Sequence, residues 1–280
     1  MLDAAREAGI DTVDTARGYG MSEEVIGDVI GDEPDWRLIT KLDAAAHEVA
    51  DGASAAQAAW LSLAASRRAL RRDRLDAVLL HRPEQRTAFG SEIWNVLREE
   101  REGGRIDAIG ISAVQPADAT AALDDSEVQI VQVAASIFDR RLADAGFFDL
   151  AIARGVEVFV RSVFLQGAAL LGTSELPRHL AVLGSELKRV DAVLEDKGAT
   201  RRDLCLAYVR DRLPGATAVI GCETLEQLEE NVASWHSPVV PSALVDEAIE
   251  RIGVLPQEVV EPWRWPEKDR PLASRGSRRR

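Results

Sequence analysis

Short apolar runs rich in β-branched residues alternate with longer segments of helical spacing along the chain, and this alternation most constrains its fold. Strands that alternate with helices predict βαβ units and hence a parallel sheet. The strand segments are near-continuous apolar runs, as expected when helices cover both faces of the sheet. The predicted strands are residues 11–14, 37–41, 75–81, 106–112, 128–133, 156–161 and 216–221.

Helical apolar spacing fills the segments between these strands. The predicted helices are residues 22–31, 54–70, 87–103, 116–123, 145–154, 184–212 (two helices), 224–235 and 242–252. A dinucleotide-binding open sheet carries G-x-G-x-x-G after its first strand, and no strand-to-helix turn here has that pattern. We therefore expect a (β/α)8 barrel. The seven predicted strands leave it one short, because the chain opens in a helical segment with no strand before it.

No Gly/Ser-rich linker or low-complexity segment divides the 280 residues. We therefore predict a single barrel domain over residues 1–280. The barrel with its C-terminal helix covers about residues 1–255 of it, and a C-terminal loop with a basic tail covers about residues 256–280.

The composition argues against several classes of partner. A net charge of −13 disfavours a general nucleic-acid binder. Charges interrupt every apolar run before about 18 residues, which disfavours a membrane span. The N-terminus lacks the layout of a secretory signal, and Cys205 and Cys222 lie within apolar segments. We expect a cytoplasmic protein.

Ionisable residues end three of the early strands. Asp14, Lys41 and His81 close the segments "IDTVD", "RLITK" and "LDAVLLH", and Tyr19 follows in the glycine-rich turn "DTARGYG". In a barrel of parallel strands, the C-terminal strand ends converge on one rim, where catalytic residues lie. Singly, these side chains have ordinary roles, as a turn cap, a surface lysine, a structural histidine and a packed aromatic. Their shared position at strand ends favours one site.

Together the four side chains suit proton delivery to a carbonyl oxygen. The pKa of a tyrosine, about 10, is too high for efficient proton transfer near neutral pH, and a neighbouring ammonium group lowers it. An aspartate keeps that lysine charged and oriented, and a histidine can hydrogen-bond the substrate carbonyl. No side chain supplies a hydride, so this chemistry implies a nicotinamide cofactor.

Seven segments in this order resemble the aldo-keto reductase family. They are "GIDTVDTARGYGMSEEVIG", "RLITKLD", "DAVLLHRPE", "REGGRIDAIGIS", "VQVAASIFDRR", "RSVFLQGAALL" and "VIGCETLEQLEENVA". The resemblance implies a (β/α)8 TIM barrel and an NAD(P)H-dependent carbonyl oxidoreductase. It also implies that Asp14, Tyr19, Lys41 and His81 form the catalytic tetrad, with Tyr19 as the general acid.

The resemblance further implies a set of cofactor-binding residues. They are Ser112, Gln132, Arg161, Ser162, Phe164, Gly167, Gly221, Glu223, Gln227, Glu230 and Asn231. Within this set, Ser112 and Gln132 would bind the carboxamide, Ser162, Phe164 and Gly167 would lie near the pyrophosphate, and Glu230 and Asn231 would contact the adenine.

The chain departs from the family pattern at several of these positions. Ala113 and Ala135 stand where many members carry an asparagine and a stacking aromatic residue. Glu223 and Gln227 lie where NADPH-dependent members place cations, so we expect NADPH or NADH as cofactor with NADH favoured, because a carboxylate repels the 2′-phosphate and suits a ribose diol. The other interpretation is that Glu223 caps the following helix and faces solvent.

The family's first strand is absent from the sequence. We expect the true start to lie upstream; alternatively, another chain or the C-terminal tail fills the gap, or the protein is a degenerate, non-catalytic relative that acts in binding or regulation. Trp263 and Trp265 could line a substrate pocket or pack against the barrel. A small carbonyl compound, of sugar type or other, is the expected substrate. The sequence leaves its identity and the oligomeric state open.

Overall fold

Strands and helices alternate through the chain, as the sequence predicts. A computed structural model describes residues 1–266, and its seven strands form one sheet in sequence order. Pairing from the first strand to the fifth is parallel. The strands are β1 (Thr12–Asp14), β2 (Arg37–Lys41), β3 (Leu75–Leu80), β4 (Ile106–Ser112), β5 (Ile130–Ala134), β6 (Glu157–Arg161) and β7 (Ala216–Ala218).

Helices of very different length connect these strands. They are α1 (Leu2–Glu7), α2 (Ser22–Ile30), α3 (Gly52–Leu70), α4 (Glu92–Glu102), α5 (Pro116–Ala122), α6 (Arg141–Asp144), α7 (Phe147–Arg154), α8 (Ala181–Leu194), α9 (Arg201–Arg212), α10 (Leu225–His236), α11 (Ser242–Arg251) and α12 (Gln257–Val260). Short 3-10 turns span Ala44–His47, Pro83–Arg86, Ala88–Ser91, Ala168–Leu170, Arg178–Leu180 and Pro262–Arg264. Within the described residues, α1 precedes β1 and no strand does.

All seven predicted strands are found, and two predicted helices differ from the structure. The helix predicted over 87–103 begins only at Glu92, because Phe89, Gly90 and Ser91 have φ of 52°, 70° and 73°. Such left-handed residues cannot continue a right-handed helix. The helix predicted over 145–154 begins at Phe147, and the short α6 precedes it across Gly146, whose φ is 70°.

The described residues fall into two compact units. One contains residues 9–133 and 153–158, and thus β1 to β4 with α2 to α5; the other contains residues 1–8, 134–152 and the described residues from Phe159 on. The prediction of a single domain over 1–280 stays a prediction. Its basic tail lies beyond the described residues.

A close backbone approach fixes the pairing of β4 with β5. A Cβ added to Gly110 would lie 2.0 Å from the carbonyl oxygen of Ile130, its partner across the ladder. Only glycine allows the two strands this spacing. The same register sets Ser112 opposite Gln132 at the ends of the two strands.

The C-terminal aromatic residues pack within the second unit. The Trp265 indole is buried, donates a 3.1 Å hydrogen bond to the Val259 carbonyl and meets the His179 ring at 5.7 Å. Of the two interpretations, packing therefore holds for Trp265. Trp263 is half-buried.

Candidate functional site

The ends of β1 and β2 join Asp14 to Lys41. Lys41 Nζ donates hydrogen bonds to Asp14 Oδ1 at 2.8 Å, to Asp14 Oδ2 at 2.7 Å and to the Thr15 carbonyl at 2.9 Å. The lysine side chain is 1% exposed and the aspartate 14% exposed. An ammonium group removed from water to this degree needs a hydrogen-bonded counterion, and Asp14 provides it.

Tyr19 and His81 complete this cluster. Their rings meet edge to face at 5.9 Å, and Lys41 Nζ lies 5.1 Å from the centroid of the phenol ring. His81 follows the last residue of β3, one position beyond the strand. The tyrosine remains 46% exposed, so a small molecule can reach its ring from solvent. The structure therefore brings together all four residues that the sequence singles out.

Gln132 makes a contact that the sequence does not indicate. Its Nε2 donates a 2.8 Å hydrogen bond to Asp14 Oδ1, the oxygen that also accepts from Lys41. Gln132 is a buried residue of β5, and the hydrogen bond from its amide orients the Asp14 carboxylate. The resemblance assigns Gln132 to the cofactor carboxamide. No local pattern could reveal a pairing between residues this far apart in the chain.

Two further predicted positions lie beside Gln132 in the same unit. Ser112 ends β4 and is buried. The backbone N–H of Ala113 donates to the Gln132 carbonyl at 2.8 Å, and its methyl group is also buried. The position thus continues the β4–β5 ladder, which needs no particular side chain.

The segment after β6, in the second unit, has an unusual backbone. Ser162, Leu165, Gln166 and Gly167 have φ of 64°, 47°, 57° and 87°. Three of these four are not glycine, and such conformations cost about 1–3 kcal/mol each. The turn is closed by hydrogen bonds from the Leu165 N–H to the Ser162 carbonyl at 2.9 Å and from the Ala169 N–H to the Phe164 carbonyl at 3.1 Å.

Arg161 closes β6 immediately before this turn. A guanidinium nitrogen of Arg161 lies 3.5 Å from Ser162 Oγ. Both side chains are partly exposed, so they can reach a ligand. The sequence predicts cofactor contacts at this position, and the strained turn is an independent feature of the same segment.

The start of α10 carries the remaining predicted residues, also in the second unit. Thr224 caps the helix, because its Oγ1 accepts a 3.2 Å hydrogen bond from the Gln227 N–H. Gln227 Oε1 in turn accepts from the Glu223 N–H at 2.8 Å. Thr224 and not Glu223 therefore caps this helix, whereas Glu223 is exposed to solvent, as that alternative also expects. The exposed Glu223 lies two residues after Gly221. A Cβ added to Gly221 would meet no atom within 4 Å.

The next turn of α10 places Glu230 and Asn231. Glu230 forms an ion pair with Arg202 of α9. Asn231 is buried and donates from Nδ2 to Cys222 Sγ at 3.3 Å. Its Oδ1 accepts no hydrogen bond within the described residues, although a buried amide oxygen normally has a donor. A ligand with an N–H group would satisfy it.

Residues 1–266 lack two other functional features. No helix in that range combines the length and the apolarity needed to cross a bilayer. Within the same residues, no group of three or more His, Cys, Asp or Glu side chains is arranged to hold a metal ion.

Solved structures of similar fold include proteins of two bacteria. The aldo-keto reductase AKR11C1 of Bacillus halodurans has 23% identity and covers 93% of this chain and 88% of its own, with a TM-score of 0.73 in the apo form and 0.74 in the holo form. The PA4992 protein of Pseudomonas aeruginosa has 23% identity, a TM-score of 0.60 and coverage of 84% and 77%. At this identity the likeness shows the fold. It is the (β/α)8 barrel, of which the described residues contain seven strands and lack the first.

The sequence itself also matches a family model. The model of the aldo/keto reductase family aligns with residues 1–250, which include the seven described strands and the complete Asp14, Tyr19, Lys41 and His81 cluster. The predicted family and fold class are thereby confirmed. The chain belongs to the aldo/keto reductase family.

Proposed function

We propose that this protein is an NAD(P)H-dependent oxidoreductase that reduces the carbonyl group of a small aldehyde or ketone, with Tyr19 as its general acid. The observation that carries the proposal is the buried Lys41–Asp14 ion pair beside the exposed Tyr19 ring and His81. Family membership supports the same class of reaction.

In this proposal each residue of the cluster has a separate task. Tyr19 donates its phenolic proton to the carbonyl oxygen of the substrate. The Lys41 ammonium group stabilises the negative charge that this transfer leaves on the phenol oxygen, and burial of the lysine strengthens the effect. Asp14 keeps the ammonium group charged and oriented, and Gln132 orients Asp14. His81 orients the carbonyl group of the substrate.

The nicotinamide nucleotide would be held by the predicted cofactor residues and, when bound, would supply the hydride to the carbonyl carbon. Two observations support its fit. The Asn231 amide oxygen is buried and accepts no hydrogen bond from the described residues, so it can accept from an amino group such as that of adenine. The turn from Ser162 to Gly167 keeps a strained backbone, which is common where a loop binds a ligand.

The exposed Glu223 carboxylate supports a preference for NADH, since it would repel a 2′-phosphate. In the wild-type protein we expect kcat/KM for NADPH to exceed that for NADH by no more than about tenfold. We expect Glu223→Gln to raise the ratio of kcat/KM for NADPH to kcat/KM for NADH by about tenfold, the effect of one charge contact. Steady-state kinetics with both nucleotides measures the ratio. Glu226→Gln is the matched control, because Glu226 is an exposed carboxylate in the first turn of the same helix. A wild-type preference for NADPH above tenfold would contradict this proposal.

Tyr19→Phe tests the proposed general acid. The variant keeps the ring and removes the proton, so we expect kcat for aldehyde and ketone reduction to fall by about 100-fold or more. Nucleotide affinity, followed by protein fluorescence, should remain within about twofold of wild type. Tyr208→Phe removes the only other phenol of the chain, which is buried, and serves as the control.

Two outcomes would count against the proposal. Reduction that persists within a few-fold in Tyr19→Phe would exclude Tyr19 as the acid. A wild-type protein that binds neither nucleotide at millimolar concentration would favour a non-catalytic role in binding or regulation. A cytoplasmic location stays a prediction from the sequence.

A further inference from the structure

Glu23 is a buried carboxylate on α2 that links the two segments carrying Tyr19 and Lys41. Its side chain is 1% exposed. Oε1 accepts a 2.5 Å hydrogen bond from the hydroxyl of Thr40, the residue before Lys41 on β2. Oε2 pairs with the guanidinium of Arg17, two residues before Tyr19 in the turn after β1. One carboxylate therefore contacts the residue next to Lys41 and a residue two positions before Tyr19.

Backbone and side-chain hydrogen bonds extend this link through the turn. The Arg17 N–H donates to the Lys41 carbonyl at 3.1 Å, and the Tyr19 N–H donates to the Ala16 carbonyl at 2.9 Å. The Thr15 hydroxyl donates to Ser22 Oγ at 2.9 Å, at the first residue of α2. The turn is thus fastened to the strand end on one side and to the helix on the other.

The placement of the Tyr19 ring depends on this turn more than on packing. Tyr19 is nearly half exposed, and its ring lies beside His81 and Lys41. A buried ion pair contributes little net stability compared with apolar residues of similar shape, because desolvation offsets its attraction. Both oxygens of Glu23 accept hydrogen bonds, and a buried carboxylate paired in this way restricts its partners to one geometry. That restriction acts directly on the segment that carries the phenol.

We infer that Glu23 is a positioning residue, which holds the Tyr19 turn through Arg17 and the Lys41 strand end through Thr40. This inference rests on the proposed function, in which the phenol and the ammonium group must keep a fixed separation. A displacement of about 1 Å between reacting groups can lower a rate by about 100-fold. The loss of Glu23 should therefore lower kcat without removing any group that touches substrate.

Glu23→Gln tests the inference, because it keeps the shape of the side chain and removes the charge that binds Arg17. We expect kcat to fall by about tenfold or more, with KM and nucleotide affinity within about twofold of wild type. The matched control is Glu100→Gln. Glu100 is a fully buried carboxylate of α4 in the same unit, and it is paired with Arg67 and Arg105. Its loss should lower thermal stability to a similar extent and leave kcat unchanged.

If Glu23→Gln does not fold, a second pair of variants tests the same inference. Arg17→Gln breaks the same link from its partly exposed end and should lower kcat in the same direction. Its control is Glu24→Gln, because Glu24 is the other and more exposed partner of Arg17, at 2.9 Å. We expect no change of kcat in that control. Wild-type kcat in Arg17→Gln would overturn the inference.

A spectroscopic measurement separates the inference from the proposed function. The chain has two tyrosines, so protein labelled with 3-fluorotyrosine gives two ¹⁹F resonances, which Tyr19→Phe assigns. We expect Glu23→Gln to shift or broaden the Tyr19 resonance and to leave that of Tyr208 unchanged; Glu100→Gln should leave both unchanged. This result would support the positioning role even if no carbonyl compound were reduced. An unchanged Tyr19 resonance, with kcat unchanged while Tyr19→Phe is inactive, would overturn the inference and leave the proposed function standing.

Discussion

Lys41 is the residue whose environment most requires explanation. A lysine is almost never fully buried unless it is paired, and here it has a carboxylate and a carbonyl oxygen as acceptors. Asp14 in turn accepts hydrogen bonds from Lys41 and Gln132, so both of its carboxylate oxygens have partners. A protein that needed only stability would fill this position with an apolar side chain. The retained ion pair agrees with the proposed role of Tyr19 as the general acid.

Tyr208 leads to a prediction about pH. Burial raises the pKa of its phenol above the ordinary value, and burial raises the pKa of the Cys205 thiol to about 12. Above about pH 10 an unfolded chain loses the Tyr208 proton while the folded chain keeps it, so the unfolded state binds fewer protons. The free energy of unfolding is therefore unaffected by this group below about pH 10 and falls as the pH rises further.

Tyr208→Phe should weaken that alkaline loss of stability. The Tyr208 hydroxyl is buried without a hydrogen-bond partner among the described residues, so the variant should be at least as stable as wild type at neutral pH. Urea denaturation at intervals from about pH 8 to about pH 11 measures the slope. Equal slopes in Tyr208→Phe and wild type would refute the prediction.

At the scale of the element, a close backbone approach at Gly27 sets the position of α2. A Cβ on Gly27 would lie 2.0 Å from the Ala69 carbonyl oxygen and 2.9 Å from Leu70 Cα, both at the end of α3. The two helices are therefore in backbone contact, which only glycine allows. This contact fixes the helix that carries Glu23 and so supports the Tyr19 turn.

Gly27→Ala should destabilise the protein although alanine is the better helix former. The propensity gain of about 1 kcal/mol is outweighed by backbone displacement, and we expect a net loss of about 2 kcal/mol in the free energy of unfolding. Chemical denaturation provides the value. The matched control is Gly184→Ala in α8, where the nearest atom is the flexible Leu176 Cδ1 at 3.3 Å, so its stability should be unchanged or higher. A Gly27→Ala protein as stable as wild type would contradict this assignment.

At the scale of the whole molecule, the order of the strands could be predicted better than their ends. All seven strands come from apolar runs that local composition reveals. The last was predicted to reach residue 221 but ends at Ala218, although the Val219 N–H still donates to the Val160 carbonyl at 2.8 Å. A strand ends where its ladder hydrogen bonds stop. Those bonds depend on the neighbouring strand as well as on the residues of the strand itself.

The sequence by itself determined the alternation of strands and helices and the family. It also determined the cluster of Asp14, Tyr19, Lys41 and His81, because parallel strands bring their C-terminal ends to one edge of a sheet. Only the tertiary structure decided which groups surround that cluster. The bond from Gln132 to Asp14 and the link from Glu23 to Arg17 and Thr40 depend on register and helix packing. Such contacts join side chains that have no periodic relation in the sequence. Because these side chains are buried, each polar group needs a defined hydrogen-bond partner, which only the folded chain provides.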